Sequence, residues 1–260
     1  MPAFNDLNLT NWKNLNVWTD SLWIINQRDK SGKHSGFYHG NFVPQIPRQL
    51  ISRYTRRGDV VFDPFAGSGT TAFEAESLGR NFVGVEIQPE LINYIKGRID
   101  SKNNFFELVA GDSANKIIFD SIINSLKKYQ RESVQFAILH PPYADIIKFS
   151  DYPEDLSNCQ SIKEFLEKFS QVSQNVIGIL DKNRYLAVVI GDKYAKGQWI
   201  PLGFYCMNEL QKLGLTLKSI IIKNMEGNRA KQNKEAIWKY RALSSDYYIF
   251  KHEYIFIFKK

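Results

Sequence analysis

A glycine turn between two apolar runs constrains this chain more than any other stretch of its sequence. The first run, Val60 to Phe62, is typical of a buried parallel strand, and the loop from Asp63 to Gly69 follows it directly. Thr70 to Leu78 predicts the helix that comes next, and Asn81 to Val85 predicts a second strand that leads into Glu86. This order of strand, turn, helix and strand predicts an α/β domain with a parallel sheet.

The same turn predicts a binding site. Gly67 and Gly69 allow the backbone to turn sharply and to approach a ligand closely. The free amides at the start of the helix favour a carboxylate or a phosphate, and an acid at Glu86 can accept hydrogen bonds from both ribose hydroxyls of an adenosine. The spacing Gly67-x-Gly69-x-x-Ala72 also fits a dinucleotide fingerprint. This stretch alone therefore indicates a nucleotide-type ligand, with a plain strand-turn-helix unit as the alternative.

A second stretch, His140-Pro141-Pro142-Tyr143, follows another apolar run at Gln135 to Leu139. The two prolines fix the backbone and lack a donor, so they predict a rigid corner at the carboxyl end of a strand, where open sheets bind ligands. The Pro141 carbonyl and a ring nitrogen of His140 can accept hydrogen bonds, and Tyr143 offers a flat aromatic face. This set suits an exocyclic amino group on a planar base. A rigid turn with a core tyrosine is the alternative, which the pairing with the glycine loop disfavours.

With DPFAGSGTT at residues 63–71 and PPY at residues 141–143, the chain resembles the S-adenosylmethionine-dependent amino-methyltransferases of DNA, which modify adenine N6 or cytosine N4. The resemblance covers residues 42–260. It implies a Rossmann-like, doubly wound methyltransferase domain with a mostly parallel sheet, S-adenosyl-L-methionine as the cofactor and double-stranded DNA as the partner. The family usually has Asp, Asn or Ser where this chain has His140, so the motif does not distinguish the two bases.

The resemblance also implies roles for matched positions. The target amine would bind at His140, Pro141, Pro142 and Tyr143. Cofactor-binding candidates lie before the glycine loop, within it, and after the second and third strands. They are Asn41, Phe42, Pro44, Asp63, Pro64, Phe65, Ala66, Gly67, Ser68, Gly69, Thr70, Thr71, Glu86, Ile87, Asp112 and Ser113.

The sheet is expected to continue beyond these motifs. Phe105 to Ala110 predicts a third strand, and Asp112 after it is expected to accept a hydrogen bond from the adenine amino group of the cofactor. Capping of a helix from Ser113 to Lys128 is the alternative role for Asp112. Leu215 to Lys223 and Tyr248 to Lys259 predict an antiparallel hairpin at the sheet edge.

Amide and basic side chains predict where DNA would bind. The long excursion at residues 224–247 is rich in amides and arginines, which read base edges, and in lysines, which hold phosphates. A charged surface loop is the alternative. The DNA-binding candidates across the chain are Lys148, Lys193, Asn228, Arg229, Lys231, Lys234 and Arg241. Residues 1–41 are expected to form an N-terminal extension or a lid on a methyltransferase domain at residues 42–260.

Charge and cysteine content agree with this assignment. A net charge of +7 favours a polyanion such as nucleic acid. Two cysteines fit a reducing cytoplasm, and neither lies in the Pro-Cys setting that covalent cytosine-C5 methyltransferases use. The cysteines and four histidines show no metal-ligand spacing, so no metal is expected. No apolar run has membrane-spanning length, and the N-terminus lacks a signal-peptide pattern.

The sequence therefore predicts a site-specific DNA methyltransferase that flips its target base and serves restriction-modification or epigenetic marking. A cognate restriction endonuclease or a specificity subunit would be its protein partner. Two alternatives stay open. The first is an RNA or protein-glutamine N-methyltransferase, which would use a similar site. The second is a catalytically inactive DNA-binding subunit. The intact glycine loop, Glu86, Asp112 and PPY disfavour the second.

Overall fold

The computed structural model describes residues 4–38, 40–100, 104–225 and 235–260 of the chain. Its centre is an eight-stranded sheet, and a second sheet has two short strands. The strands in chain order are β1 (Leu22–Trp23), β2 (Val60–Asp63), β3 (Asn81–Glu86), β4 (Phe106–Ala110), β5 (Val134–Leu139), β6 (Leu180–Ile190), β7 (Lys193–Ala195), β8 (Gln198–Ile200), β9 (Thr216–Asn224) and β10 (His252–Lys259).

The strand order across the large sheet is β1-β9-β10-β6-β5-β2-β3-β4. Neighbouring strands are parallel except where β10 pairs with β6 and with β9. The predicted mostly parallel sheet with an antiparallel hairpin is confirmed, and the two-residue β1 lies outside β9. The chain passes from β2 to β3 and β4, then returns to β5 on the other side of β2. The switch point of this doubly wound sheet therefore lies between β2 and β5.

Helices cover both faces of the sheet. Within the described residues they are α1 (Gln45–Tyr54), α2 (Thr70–Ser77), α3 (Pro89–Lys96), α4 (Lys116–Lys128), α5 (Ile162–Ile179), α6 (Leu202–Lys212) and α7 (Glu235–Leu243). Apolar residues of α1, α2 and α3 pack on one face, and those of α4, α5 and α6 pack on the other. No helix in this described part has the length and apolarity needed to cross a bilayer.

Burial on both faces explains the uninterrupted apolar runs of the central strands. Val61 belongs to the core on the side of α1, where Leu50 is also buried. Its neighbour Phe62 points to the opposite side and contacts Phe119 of α4, with ring centroids 5.6 Å apart. Each residue of β2 is therefore held by packing, which places the following loop at the carboxyl edge of the sheet.

Two expectations about local structure are wrong. The helix expected from Ser113 begins instead at Lys116, because the side chain of Asn115 accepts a hydrogen bond from the Ile117 amide and caps it. Asp112 therefore does not cap this helix. The excursion at residues 224–247 is not a loop throughout, because it contains α7. The short hairpin of β7 and β8 was also not expected from the sequence.

The turn before α2 gives a test of how strongly the glycine loop specifies the fold. Gly69 has a φ of +87°, and a β-carbon there would lie 2.8 Å from Cγ1 of Ile95. We expect Gly69→Ala to lower the free energy of unfolding by about 2 kcal/mol or more, measured by urea denaturation. Gly178→Ala is the matched control, since its exposed position in α5 has no atom within 4 Å of the added carbon. Equal stability of the two variants would contradict this reading.

Candidate active site

Two buried carboxylates shape the loop between β2 and α2. Asp63 accepts hydrogen bonds from the Phe65 amide at 2.8 Å and from the Thr71 hydroxyl at 2.5 Å. Burial raises the pKa of Asp63 to about 6, although both hydrogen bonds oppose that shift. Each carboxylate oxygen of Asp63 already accepts a hydrogen bond from within the chain. Asp63 therefore stabilises the shape of the loop between β2 and α2.

Glu86, the last residue of β3, holds a second point of the same loop. One carboxylate oxygen accepts from the Gly67 amide at 2.7 Å, and the other accepts from the Gln88 amide at 2.9 Å. Burial raises the pKa of this carboxyl to about 7, while the two amides oppose the shift. Each oxygen keeps a further lone pair, so the predicted role of accepting from ribose hydroxyls is compatible with this geometry.

The segment before α1 lies against the glycine loop, as the sequence predicts for Asn41. The Ser68 hydroxyl donates to Oδ1 of Asn41 at 2.8 Å. Nδ2 of Asn41 is buried and has no hydrogen-bond partner within the described part of the chain. A buried donor without a partner is rare in folded proteins, and its position beside the loop amides suits an anionic group of a ligand.

The loop after β4 is tied to the glycine loop through a third contact. The buried Ser113 hydroxyl donates to the Pro64 carbonyl at 2.5 Å. Asp112 is partly exposed, and its Oδ1 accepts from the Ala114 amide at 2.8 Å. Ala66 donates its amide to the Val85 carbonyl at 3.0 Å. Hydrogen bonds thus join the loop after β2 to the end of β3 and to the loop after β4.

The remaining cofactor-binding candidates fall into two groups by their burial. The structure leaves Phe65 and Ile87 partly exposed at this edge, and it buries Pro44, Thr70 and Thr71. Pro44 directly precedes α1.

Phe42 connects the glycine loop to the His140 corner. Its ring contacts the imidazole of His140, with centroids 4.7 Å apart, while its neighbour Asn41 holds Ser68. The two motifs are far apart in sequence, but parallel pairing of β2 with β5 places both at the same edge. The two motifs therefore lie at the same edge of the sheet and are linked through Asn41 and Phe42.

The His140 corner contains a partly buried chain of hydrogen bonds. Nε2 of His140 lies 3.3 Å from the Tyr143 hydroxyl, which donates to Oε2 of Glu253 at 2.8 Å. Oε1 of Glu253 lies 3.1 Å from Nζ of Lys223. Burial lowers the pKa of His140 to about 4, and Lys223 adds to that shift whereas Glu253 opposes it. His140 is therefore neutral near pH 7 and can accept through one ring nitrogen.

Aromatic side chains that no sequence motif indicates lie against the glycine loop and the segment before α1. Tyr38 would lie 3.5 Å from a β-carbon on Gly67, and its hydroxyl accepts from the Gln88 side chain at 3.0 Å. Phe149 packs on Gly40, where a β-carbon would lie 2.5 Å from its ring. The segment after the His140 corner thus contacts the segment before α1.

A buried ionic cluster ties this covering segment to α2. Glu74 accepts from Arg48 at 2.9 Å and lies 2.6 Å from Nε2 of His34, and Arg48 also pairs with Asp29. Glu74, an acidic residue among the buried positions of α2, is the sequence feature that could have indicated these ion pairs. The cluster gives the loop at residues 27–38 a fixed position, as a cover over the site requires.

The DNA-binding candidates have three outcomes. Lys148 pairs with Asp151 at 2.5 Å, and Lys193 pairs with Asp145 in the segment after the His140 corner. Arg241 lies on α7 above the ring of Trp238. Asn228, Arg229, Lys231 and Lys234 lie outside the described residues. The described residues contain no cluster of His, Cys, Asp and Glu that could hold a metal ion.

The connection through α7 begins and ends at the same edge as the His140 corner. Asn224 at the end of β9 is paired with His252 at the start of β10, and Tyr254 is paired with Ile190 at the carboxyl end of β6. Tyr247 stacks on Tyr194, which joins this segment to the β7–β8 hairpin. A ligand bound at this edge would therefore lie at the same edge as both ends of the connection that contains α7.

Comparison with known families matches most of the chain. A family model described as DNA methylase, for N6 and N4 methyltransferases, matches residues 5–97 and 134–260. The type II methyltransferase M.XycI of Xanthomonas campestris pv. cyanopsidis is 33% identical over 84 residues, which cover 32% of this chain and 27% of that protein. M.MthZI of Methanothermobacter thermautotrophicus is 28% identical over 142 residues, which cover 52% of this chain and 39% of that protein. The chain thus spans well under half the length of these relatives.

Solved structures support the fold. TrmN from Thermus thermophilus is similar with a TM-score of 0.53 and 14% identity, over 84% of this chain and 49% of that chain. A SAM-dependent methyltransferase from Methanosarcina mazei is similar with a TM-score of 0.50 and 13% identity, over 81% of this chain and 96% of that chain. At these identities the likeness shows the Rossmann-like fold alone.

The raised pKa of Glu86 gives a test of the site that needs no ligand. Its usual value of 4.5 rises to about 7, so between these values the folded state binds a proton that the unfolded state does not bind. Stability from this group is present below pH 4.5 and is lost as pH rises through 7, by about 3 kcal/mol. Glu86→Gln should remove this part of the pH dependence of unfolding, whereas exposed Glu90→Gln should not. Parallel curves of unfolding free energy against pH for Glu86→Gln and wild type would contradict the raised pKa of Glu86.

Proposed function

The chain belongs to the N6/N4 DNA methylase family, and from this premise we propose that it methylates an exocyclic amino group of a base in DNA. The observation that carries the proposal is the meeting of two acceptors with a cofactor-type loop. His140 is neutral and contacts Phe42, and the adjacent Asn41 is bonded to the glycine loop. A planar amine held at His140 would therefore lie beside the group bound at Gly67.

The cofactor of this family is S-adenosyl-L-methionine, and the residues at the switch point fit it. The unpartnered Nδ2 of Asn41 and the amides of the glycine loop would hold the methionine carboxylate. The free lone pairs of Glu86 would accept from the ribose hydroxyls, and Asp112 would accept from the adenine amine. The cofactor supplies an electrophilic methyl group when it is bound.

The two acceptors of the His140 corner activate the amine. In a neutral base the amine lone pair is delocalised into the ring, so it attacks poorly. Hydrogen bonds from the amine to a ring nitrogen of His140 and to the Pro141 carbonyl pull the nitrogen towards tetrahedral geometry and localise that pair. Once the amine nitrogen has gained the methyl group, neutral His140 takes the proton that this nitrogen loses. Positioning and electrostatics carry the rate, as expected where no covalent intermediate forms.

A duplex hides the amine, so the target base is extruded into this corner. The ring of Tyr143 is held at its hydroxyl, which is bonded to Glu253, and along one edge, where Cε2 would lie 2.9 Å from a β-carbon on Gly191. A fixed aromatic face suits stacking with an extruded base. The loop at residues 27–38 would close the cofactor side, and residues 42–260 would carry the catalytic groups. The base is adenine or cytosine, and a role in restriction-modification would place the protein in the cytoplasm.

Nucleoside analysis tests the reaction. Incubation with unmethylated genomic DNA and S-adenosyl-L-methionine should yield N6-methyladenine or N4-methylcytosine, identified by mass spectrometry after digestion. We expect His140→Ala to lower turnover by roughly 100-fold or more while it changes the cofactor Kd little, because it removes one acceptor of the amine. His140→Asn retains an acceptor oxygen and should lose less.

Three results would count against this function. Methylation of RNA or protein but not of DNA would show that DNA is not the substrate, and it would not refute the proposed site. Cofactor binding without turnover on any of the three would favour an inactive DNA-binding subunit. Wild-type turnover of His140→Ala would remove the proposed acceptor.

Arg241 on α7 provides a test of the DNA-contacting surface. If its guanidinium neutralises a phosphate, Arg241→Ala should weaken DNA binding about equally for all sequences and lower the slope of log Kd against log salt by about 1. Lys127→Ala is the matched control, because α4 ends at the opposite edge of the sheet. An unchanged salt slope for Arg241→Ala, measured by fluorescence anisotropy, would place the DNA elsewhere.

A further inference from the structure

Four side chains form a hydrogen-bonded chain behind the His140 corner: His140, Tyr143, Glu253 and Lys223. Glu253 and Lys223 lie directly opposite each other on β10 and β9, and their exposed fractions are 6% and 7%. A buried ion pair is costly to desolvate, and replacement by apolar residues is often neutral. Its presence here, in contact with a motif residue, therefore calls for a role beyond stability.

The donors and acceptors of this chain fix the position of each proton. Lys223 has donors only, so it points one at Oε1 of Glu253. Oε2 of Glu253 accepts the single hydroxyl hydrogen of Tyr143. Burial raises the pKa of Tyr143 well above its usual value, so this hydrogen stays on the hydroxyl. The Tyr143 oxygen can then serve His140 only as an acceptor.

That direction decides the tautomer of His140. Since the Tyr143 oxygen accepts, Nε2 of His140 must carry the hydrogen, and Nδ1 must carry the lone pair. The ring contact of His140 with Tyr143 is made through Nε2, and no hydrogen bond joins Nδ1 to another described residue. The ring nitrogen left free by the protein is thus the one that can accept from a ligand.

We propose that Glu253 is a positioning residue that, through Tyr143, holds His140 in the tautomer whose Nδ1 accepts from the target amine. The proposal rests on the proposed function. An acidic residue at position 140 would accept in any orientation, whereas a neutral imidazole accepts through one nitrogen and repels the amine hydrogens through the other. The histidine in this motif therefore needs a partner that fixes its proton, and Glu253 on β10 supplies it through Tyr143.

Glu253→Gln should reverse the chain. Lys223 cannot accept, so it takes the new amide oxygen and leaves the amide NH2 facing Tyr143. The Tyr143 oxygen then accepts from that NH2, and its hydrogen turns to Nε2 of His140. The imidazole hydrogen moves to Nδ1, where it opposes the amine. We expect the DNA-methylation kcat to fall roughly 100-fold, with little change in cofactor Kd.

Lys223→Gln is the matched control. The Glu253 carboxylate still accepts from Tyr143, so the tautomer and kcat should stay within about threefold of wild type even if the melting temperature falls. The double variant Glu253→Gln/Lys223→Gln is the rescue, since residue 223 can then accept as well as donate. The amide oxygen of residue 253 is again free to face Tyr143, and part of the lost kcat should return.

The tautomer is read directly from long-range ¹⁵N–¹H spectra of ¹⁵N-histidine protein, with His140→Asn used to assign its signals. The free wild-type protein should show His140 protonated at Nε2, and Glu253→Gln should show it protonated at Nδ1. An unchanged tautomer in Glu253→Gln, or equal kcat losses in Glu253→Gln and the double variant, would overturn the proposal. Because the spectra need neither DNA nor cofactor, a protein that methylates no DNA would refute the proposed function separately.

Discussion

The geometry of the candidate site depends on a carboxylate that is buried at the carboxyl edge of the sheet. Glu86 at the end of β3 accepts amides from Gly67 and Gln88, and so it joins the loop after β2 to the loop after its own strand. Burial of this group is costly, as its raised pKa reflects. The cost is offset only while both loops keep their shape, and the loop shape in turn gives Asn41 and Ser68 their places. The proposed cofactor site therefore shares the contacts that hold the carboxyl edge of the sheet together.

At the His140 corner, the proposed site has a histidine where Asp, Asn or Ser usually stands in the family it resembles. A carboxylate accepts through two oxygens without regard to its orientation, and it brings a negative charge beside the base. Neutral His140 brings no charge, but it accepts at one nitrogen only. Packing against Phe42 and the chain through Tyr143 supply the orientation that the side chain itself lacks.

Much of this architecture could be predicted from the sequence, because local patterns specify it. The apolar runs of β2, β3 and β5 are buried on both faces, and each is followed by a motif that only a carboxyl-end loop accommodates. The contacts that complete the site could not be predicted in this way. Tyr38 meets Gly67 and Glu253 meets Tyr143 across long sequence separations, and no local pattern indicates such a pairing.

The errors at α4 and α7 have local causes. Asp112 and Asn115 are both good helix caps, and only the geometry after β4 selects Asn115. The segment that forms α7 leaves Ile237, Tyr240 and Leu243 exposed, so it lacks the buried apolar stripe by which helices are recognised in a sequence. Its charge and amide content predicted a loop, and these features do not indicate the helix from Glu235 to Leu243.

The most direct test of the account is a crystal structure of the protein with S-adenosylhomocysteine and a duplex that contains its target site. The account predicts an extruded base whose amino nitrogen lies within hydrogen-bonding distance of both Nδ1 of His140 and the Pro141 carbonyl, and faces the sulfur of the cofactor product. A base that stays in the duplex, or an amine that contacts neither acceptor, would contradict it.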